Sequence, residues 1–307
     1  MHTVIIGVGG VGGYFGGKIA YSGQKVTLLA RGKHLEAIKK KGLVVKSIEG
    51  DFSVKPYQVT NNIDIVEKAD VILVCTKSWQ VREAARQIQP ILKEDTVVIP
   101  LQNGADNVEK LEQELKTEHI LGGLCKIYSK IESPGTILHF GFPPEIIFGN
   151  VFNKESEKLE KVKRIFDTAG IKNKIADDIN VAIWRKFMFI AAVSGLGALT
   201  RATIGEMYSD MELRKILAMV VSEIYQVAKA KKVNLEETAV SATMDFIAGQ
   251  PFDSTASTQR DILEGRPSEL EDFNGYIVKE GKRLGVETPA NKFVYYCLKP
   301  MEEKARK

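Results

Sequence analysis

Apolar and polar positions along the chain fall into two regimes. In the first half, short runs that are apolar at nearly every position alternate with stretches of helical period. "TVIIG" precedes a helix pattern from Gly10 to Ser22, "KVTLLA" one from Lys33 to Lys41, and "DVILVCT" one from Val81 to Leu92, before "TVVIPL". Continuously apolar strands are covered on both faces, and helices between them make the sheet parallel. Gly23 and Gly42 stand where the first two helices should stop. "LVVKS" and "FSVKP" flank "IEGD" as a hairpin, and "TILHF" and "EIIFGN" read as two further strands, a hairpin at the sheet edge.

After "KNKIADD" the strand pattern nearly stops. "INVAIWRKFMFIAAV", "ELRKILAMVVSEIYQVAKAKKV", "NLEETAVSATMDFI", "SELEDFNGYIVKEGKRLG" and "NKFVYYCLKPMEEKARK" all carry helical periodicity. The boundary is placed near Asp177. The expected architecture is an α/β, Rossmann-type, doubly wound domain over 1–177 and an all-α domain over 178–307.

Composition changes this picture little. At 307 residues, 44% hydrophobic and 27% charged, the chain is of ordinary globular make. A net charge of +4 without a basic stripe or interleaved aromatics gives no footprint for nucleic acid, and Lys39 to Lys41 read as a solvated helix end. The three cysteines, Cys75, Cys125 and Cys297, are far apart and form no CxxC, which predicts free thiols and a reducing, cytoplasmic setting. The histidines have no metal-ligand spacing, so no metal is expected. The N-terminus lacks a signal-peptide pattern, no apolar run reads as long enough to span a bilayer, and no membrane partner is expected.

Candidate chemistry begins at "GVGGVG". Gly7, Gly9 and Gly12 have the GxGxxG spacing, after a strand and at the opening of a helix. In that context the first glycine allows the tight turn, the second a close approach to a pyrophosphate, and the third close helix–strand packing. Val8, Gly10 and Val11 complete the turn, and the anion sits on the helix N-terminus. At the end of the second strand, where NAD sites carry a carboxylate, the chain reads "LLARGK". Arg31, with Lys33 nearby, suits a 2′-phosphate, so the expected cofactor is NADPH. Lys77 and Asn103 follow later strands, where ligands of doubly wound sheets bind; an Asn-Gly turn would account equally for Asn103 by itself, and its place past a buried strand tips it toward function.

"IWRKFMFIAAVSG" is apolar almost all round yet contains Lys186. Desolvation lowers a lysine pKa toward the working range of a general acid, and the charge would stabilise a developing alkoxide. The alternative is a lysine whose stem packs while its head reaches water. His139, mid-strand, reads as structural. Several acids in "STASTQRDILEGRPSELEDFNG" could partner Lys186, and spacing does not choose among them.

Together "GVGGVGG", Arg31, "TKSWQ", "LQNG", "WRKF" and "SELEDFNG" resemble the ketopantoate reductases (2-dehydropantoate 2-reductases), whose C-terminal domain is helical and like that of 6-phosphogluconate dehydrogenase. The resemblance covers almost the whole chain. It implies NADPH-dependent reduction of 2-dehydropantoate to pantoate in pantothenate biosynthesis. It gives Lys186 as proton donor and Glu269 as the active-site glutamate near the lysine and the nicotinamide ribose. It also gives Asn103 at the cofactor–substrate junction, Ser257 on the substrate carboxylate and Lys77 near both ligands. Familiar members carry asparagines four and eight residues after the lysine, and another before a Gly-Glu pair; here stand Ile190, Ser194 and Ile204. That departure bears on the choice of substrate. The competing readings are reduction of another 2-oxo acid or ketone, oxidation of a secondary alcohol, and a non-catalytic NADPH sensor. The helices of the second domain leave room for a homodimer.

Overall fold

The computed structural model describes residues 1–152 and 156–307. The chain forms two compact units. One comprises Met1–Gln102 and Asp106–Ile179; the other comprises Asn103–Ala105 and Asn180–Lys307. The main crossing thus lies just past Asp177.

The first unit is built on a parallel sheet. Its strands are β1 (His2–Ile6), β2 (Lys25–Leu29), β5 (Gln58–Thr60), β6 (Val71–Val74) and β7 (Val97–Pro100), in spatial order β5-β2-β1-β6-β7. β1 is central, pairing Thr3 with Val26 on one side and with Val71 on the other. Alternate residues feed separate cores. Ile5, Leu73 and Ile99 join the cluster containing Phe15 and Ile19 of α1 (Gly10–Tyr21), whereas Val4, Ile72 and Val98 join that containing Ala85 and Ile88 of α3 (Val81–Ile88). Both faces are therefore dry, which is why the strands read as unbroken apolar runs.

A second sheet corrects the edge-hairpin reading. β3 (Leu43–Ser47) and β4 (Phe52–Val54) form the expected antiparallel pair. "TILHF" and "EIIFGN", however, are the two ends of one strand, β9 (Thr136–Gly149). Its hairpin partner is β8 (Gly122–Ser133), with Lys126 opposite Glu145 and Tyr128 opposite Phe140. The intervening "GFPP", which looks like a turn, bulges against Ile127, where prolines cost the ladder little. β3 and β10 (Lys172–Ile175) lie parallel to β9 at its two ends.

The second unit is helical. Its longest element, α6 (Ile179–Thr200), begins at the last residue of the first unit. By length and composition α6 could cross a membrane, contrary to the sequence expectation; with 61% of its apolar window buried, it has the character of a core helix. Around it the chain adds α7 (Ile204–Ser209), α8 (Met211–Ala230), α9 (Ala239–Ala248) and α10 (Ser257–Leu263). A π-helical turn (Glu271–Gly275) then leads into α11 (Tyr276–Leu284), and α12 (Pro289–Ala305) follows. α9 starts at Ala239, so the helical period over "NLEET" lies outside it, and the short helices α7 and α10 carry no period long enough to show in the sequence.

Candidate active site

In the first unit, the sheet order reverses about β1, so the carboxyl ends of β1 and β6 mark the switch point where such sheets bind ligands. The glycine turn leaves β1 there. Gly7 has φ +92°, and a Cβ on it would lie 2.9 Å from the Thr76 nitrogen after β6. A Cβ on Gly12 would fall 2.1 Å from the Gly7 carbonyl oxygen, so α1 can pack on its strand only without a side chain there. Gly9 differs: a Cβ on it would meet nothing within 4 Å. Gly9 is the N-cap of α1 and supplies no capping side chain, and its carbonyl accepts from Gly13, 2.8 Å away. The N–H groups of Gly10, Val11 and Gly12 precede the first intrahelical bond and have no acceptor within the helix. Val8 is buried. Open space in front of Gly9 and helix-terminal amides without a helical acceptor together fit an anionic pyrophosphate.

Arg31 is the exposed N-cap of α2 (Gly32–Lys41), just beyond β2, and makes no ion pair among the described residues. Lys33 is exposed beside it, and Lys39 to Lys41 form the exposed helix end. Lys77, half-buried, places its Nζ 5.6 Å from the centre of the Trp79 ring. Gln102, which the motif reading did not single out, is buried, and its Nε2 donates to Thr76 Oγ1 at 3.3 Å. Burial, reinforced by nearby Cys125, pushes the Cys75 thiol well above its ordinary pKa. His139 is fully engaged: its ring nitrogens meet Ser47 Oγ at 2.8 Å and the Phe142 carbonyl at 3.0 Å. Among the described residues no group of three His, Cys, Asp or Glu could hold a metal.

In the second unit, α6 presents Lys186 half-buried and Arg185 exposed, the latter paired with Glu236. Flanking Lys186, the Trp184 and Phe187 rings stack edge-on at 5.6 Å. Phe187 meets Phe273 at 5.9 Å and Tyr276 at 6.1 Å. Phe273 donates its N–H to the Glu269 carbonyl at 3.0 Å. This aromatic cluster docks the segment carrying buried Glu269 against the α6 turn carrying Lys186. Spacing alone does not choose a carboxylate; this packing puts the segment with buried Glu269 and Asp272 beside that turn. Asn103, half-buried, groups with this unit.

Other expected positions are more varied. Ile190 is half-buried against the helical core. Ser194 is completely buried, and its Oγ has no hydrogen-bond partner among the described residues. Ile204 is also in the core, at 2% exposure. Ser257 is exposed at the first position of α10.

A doubly wound sheet with a glycine turn at its switch point, followed by a helical unit bearing a lysine and a carboxylate, is the build of a two-domain oxidoreductase. Sequence comparison narrows the class: residues 3–153 match the family described as ketopantoate reductase PanE/ApbA, and residues 178–302 match its C-terminal domain. The chain belongs to the ketopantoate reductase family. It is 28% identical to the "Uncharacterized oxidoreductase YkpB" of Bacillus subtilis, over 98% of this chain and 99% of that one. It is equally 28% identical to a 2-dehydropantoate 2-reductase of Nostoc, over 98% and 95% of the two chains. Among solved structures, a PanE/ApbA family ketopantoate reductase from Ralstonia eutropha superposes with TM-score 0.91 at 29% identity, covering 100% of both chains. A D-mandelate dehydrogenase solved with NADH and anilino(oxo)acetate shares the fold, with TM-score 0.90 at 24% identity over 100% of both chains.

Proposed function

We propose that this protein is an NADPH-dependent reductase of a 2-oxo acid, with 2-dehydropantoate as the substrate and pantoate as the product. The observation that supports the reading is the aromatic cluster of Trp184, Phe187, Phe273 and Tyr276, which packs the segment that follows Glu269 on the part of α6 that carries Lys186. The cofactor, when bound, supplies a hydride to the substrate carbonyl. Gly7 to Gly12 hold its pyrophosphate on the amides of α1, and Arg31 pairs with the 2′-phosphate. Lys77 and Asn103 orient ligand groups, and Ser257 holds the substrate carboxylate. Lys186 Nζ donates a proton to the oxygen as the carbonyl is reduced, and its positive charge stabilises the forming alkoxide. Glu269 orients the lysine and the ribose.

Ile190 favours a second reading, reduction of a 2-oxo acid without the terminal hydroxyl. A site that lacks an amide for that hydroxyl gains little selectivity from it.

The test is NADPH consumption by the purified protein with a panel of 2-oxo acids that includes 2-dehydropantoate. Lys186→Ala should lower turnover by roughly two to four orders of magnitude while NADPH still binds. Near-normal turnover in that variant would assign the proton to another donor.

A further inference from the structure

The segment around Glu269 is held along one face of the C-terminal helix α12. Three side chains of that helix, Asn291, Tyr295 and Glu302, each meet it, in antiparallel order. Asn291 Oδ1 accepts from Asn274 Nδ2 at 3.0 Å. The Tyr295 hydroxyl donates to the Glu271 carboxylate at 2.7 Å and 2.8 Å to its two oxygens. Glu302 receives the Ser268 N–H at 3.1 Å on each carboxylate oxygen, and the Ser268 hydroxyl donates to Oε2 as well. Spacings of four and seven residues put all three on one side of an α-helix.

The Glu302 contact is the one nearest to Glu269 along the chain. Glu302 is 3% exposed and Ser268 is fully buried. A carboxylate in such a place is costly unless it is paired and bonded. Arg306 supplies the pairing at 2.6 Å, and the same guanidinium donates to the Ser268 carbonyl at 2.9 Å. Ser268 Oγ in turn accepts the Leu270 N–H at 3.2 Å. Every polar group of Ser268 is thereby bound, and the residues on both sides of Glu269 are fixed. An ion pair spent on a serine next to a proposed active-site carboxylate has more use as a clamp than as a source of stability, since buried pairs roughly break even against apolar packing.

We propose that Glu302 is a positioning residue: by holding Ser268 it sets where Glu269 stands, so that α12 governs the reaction without touching substrate. The inference rests on the role given to Glu269 above, and the experiment separates the two. kcat is measured on the best substrate of the panel for Glu302→Gln and Ser268→Ala in two backgrounds, the unaltered protein and Glu269→Ala. Misplacing a reacting group by a fraction of an ångström should lower kcat roughly tenfold or more in the unaltered background. In the Glu269→Ala background the same substitutions should change kcat by less than about twofold, because coupled residues are not additive. Ser268→Thr, which keeps the hydroxyl, should retain most of the activity. Equal losses in both backgrounds would mean general destabilisation and would overturn the clamp, as would no loss in the unaltered protein. If Glu269→Ala alone left kcat unchanged, the role of Glu269 and the clamp would fall together. Ser268→Ala removes a single oxygen, so it carries the comparison if Glu302→Gln does not fold.

Discussion

Arg31 tests cofactor choice at the scale of one side chain. It is exposed, follows β2 and makes no ion pair among the described residues, so its removal disturbs little of the fold. Arg31→Ala should weaken NADPH binding by about 1.5–3 kcal/mol, the worth of a hydrogen bond to a charged group, and leave NADH nearly unchanged. Titration of both cofactors by fluorescence decides it, and parallel losses would remove the 2′-phosphate from the argument. Ile190 tests substrate choice. Ile190→Asn should raise the preference for 2-dehydropantoate over the 2-oxo acid lacking its hydroxyl by roughly tenfold, one hydrogen bond's worth. An unmoved ratio of kcat/KM values would place hydroxyl recognition elsewhere. Ile204 is unsuited to this comparison, because an amide placed in the core would test folding. That distinction could not be read from the sequence, where Ile190 and Ile204 each stand in place of an asparagine. Gly7 to Gly12, Arg31 and Lys186 were visible as candidates because each breaks a local pattern: glycines at a helix start, a base at a strand end, a charge in an apolar helix. Ser268 and Glu302 were not, since their meaning lies in a contact across 34 positions of chain.

At the scale of elements, the glycine turn joins packing and binding in adjacent residues, and two substitutions separate them. Gly12→Ala drives a methyl group into the Gly7 carbonyl and should cost several kcal/mol or abolish soluble expression. Gly9→Ala meets no protein atom, and its backbone at φ −82° is open to any residue. Its melting temperature should stay close to that of the unaltered protein while cofactor affinity falls. Thermal melts with and without NADPH measure both effects, and unchanged affinity in Gly9→Ala would mean that no ligand approaches there. The parallel strands and long helices were readable because burial on both faces, or on one stripe, writes a period into the sequence. β5 escaped because it has only three residues, and α7 because it has only six. β8 opens with two glycines and ends exposed, so neither period develops. The single strand β9 hid behind "GFPP", whose turn chemistry is spent on a bulge.

For the whole molecule, stability should depend on pH through carboxylates held by bases. Burial opposes ionisation of Glu280, but Arg283 and Lys231, at 2.7 Å and 3.0 Å, outweigh it and hold the carboxyl below its ordinary pKa of 4.5. In the first unit Lys93, at 2.5 Å, and the His2 N–H likewise outweigh the burial of Asp70 and lower its pKa. A pKa depressed by folding gives stability that is present above the unfolded value and lost as pH falls through the folded one. Melting temperature should therefore drop as pH falls below about 4.5. Glu280→Gln should lower it at pH 7 and flatten that acid-side slope, as read from melts between pH 7 and pH 3. An unaltered slope would move acid sensitivity to other groups. The two units also set a rule for recombination. Asn103–Ala105 belongs to the helical unit although it is encoded between strands of the other, and Ala105 packs on the helical core. A gene cut at Asn180 therefore does not cut where the fold does. A chimaera that takes its helical half from a relative inherits a foreign core but keeps its own tripeptide. Shuffling within the family therefore exchanges a true unit only when those three codons travel with the second half.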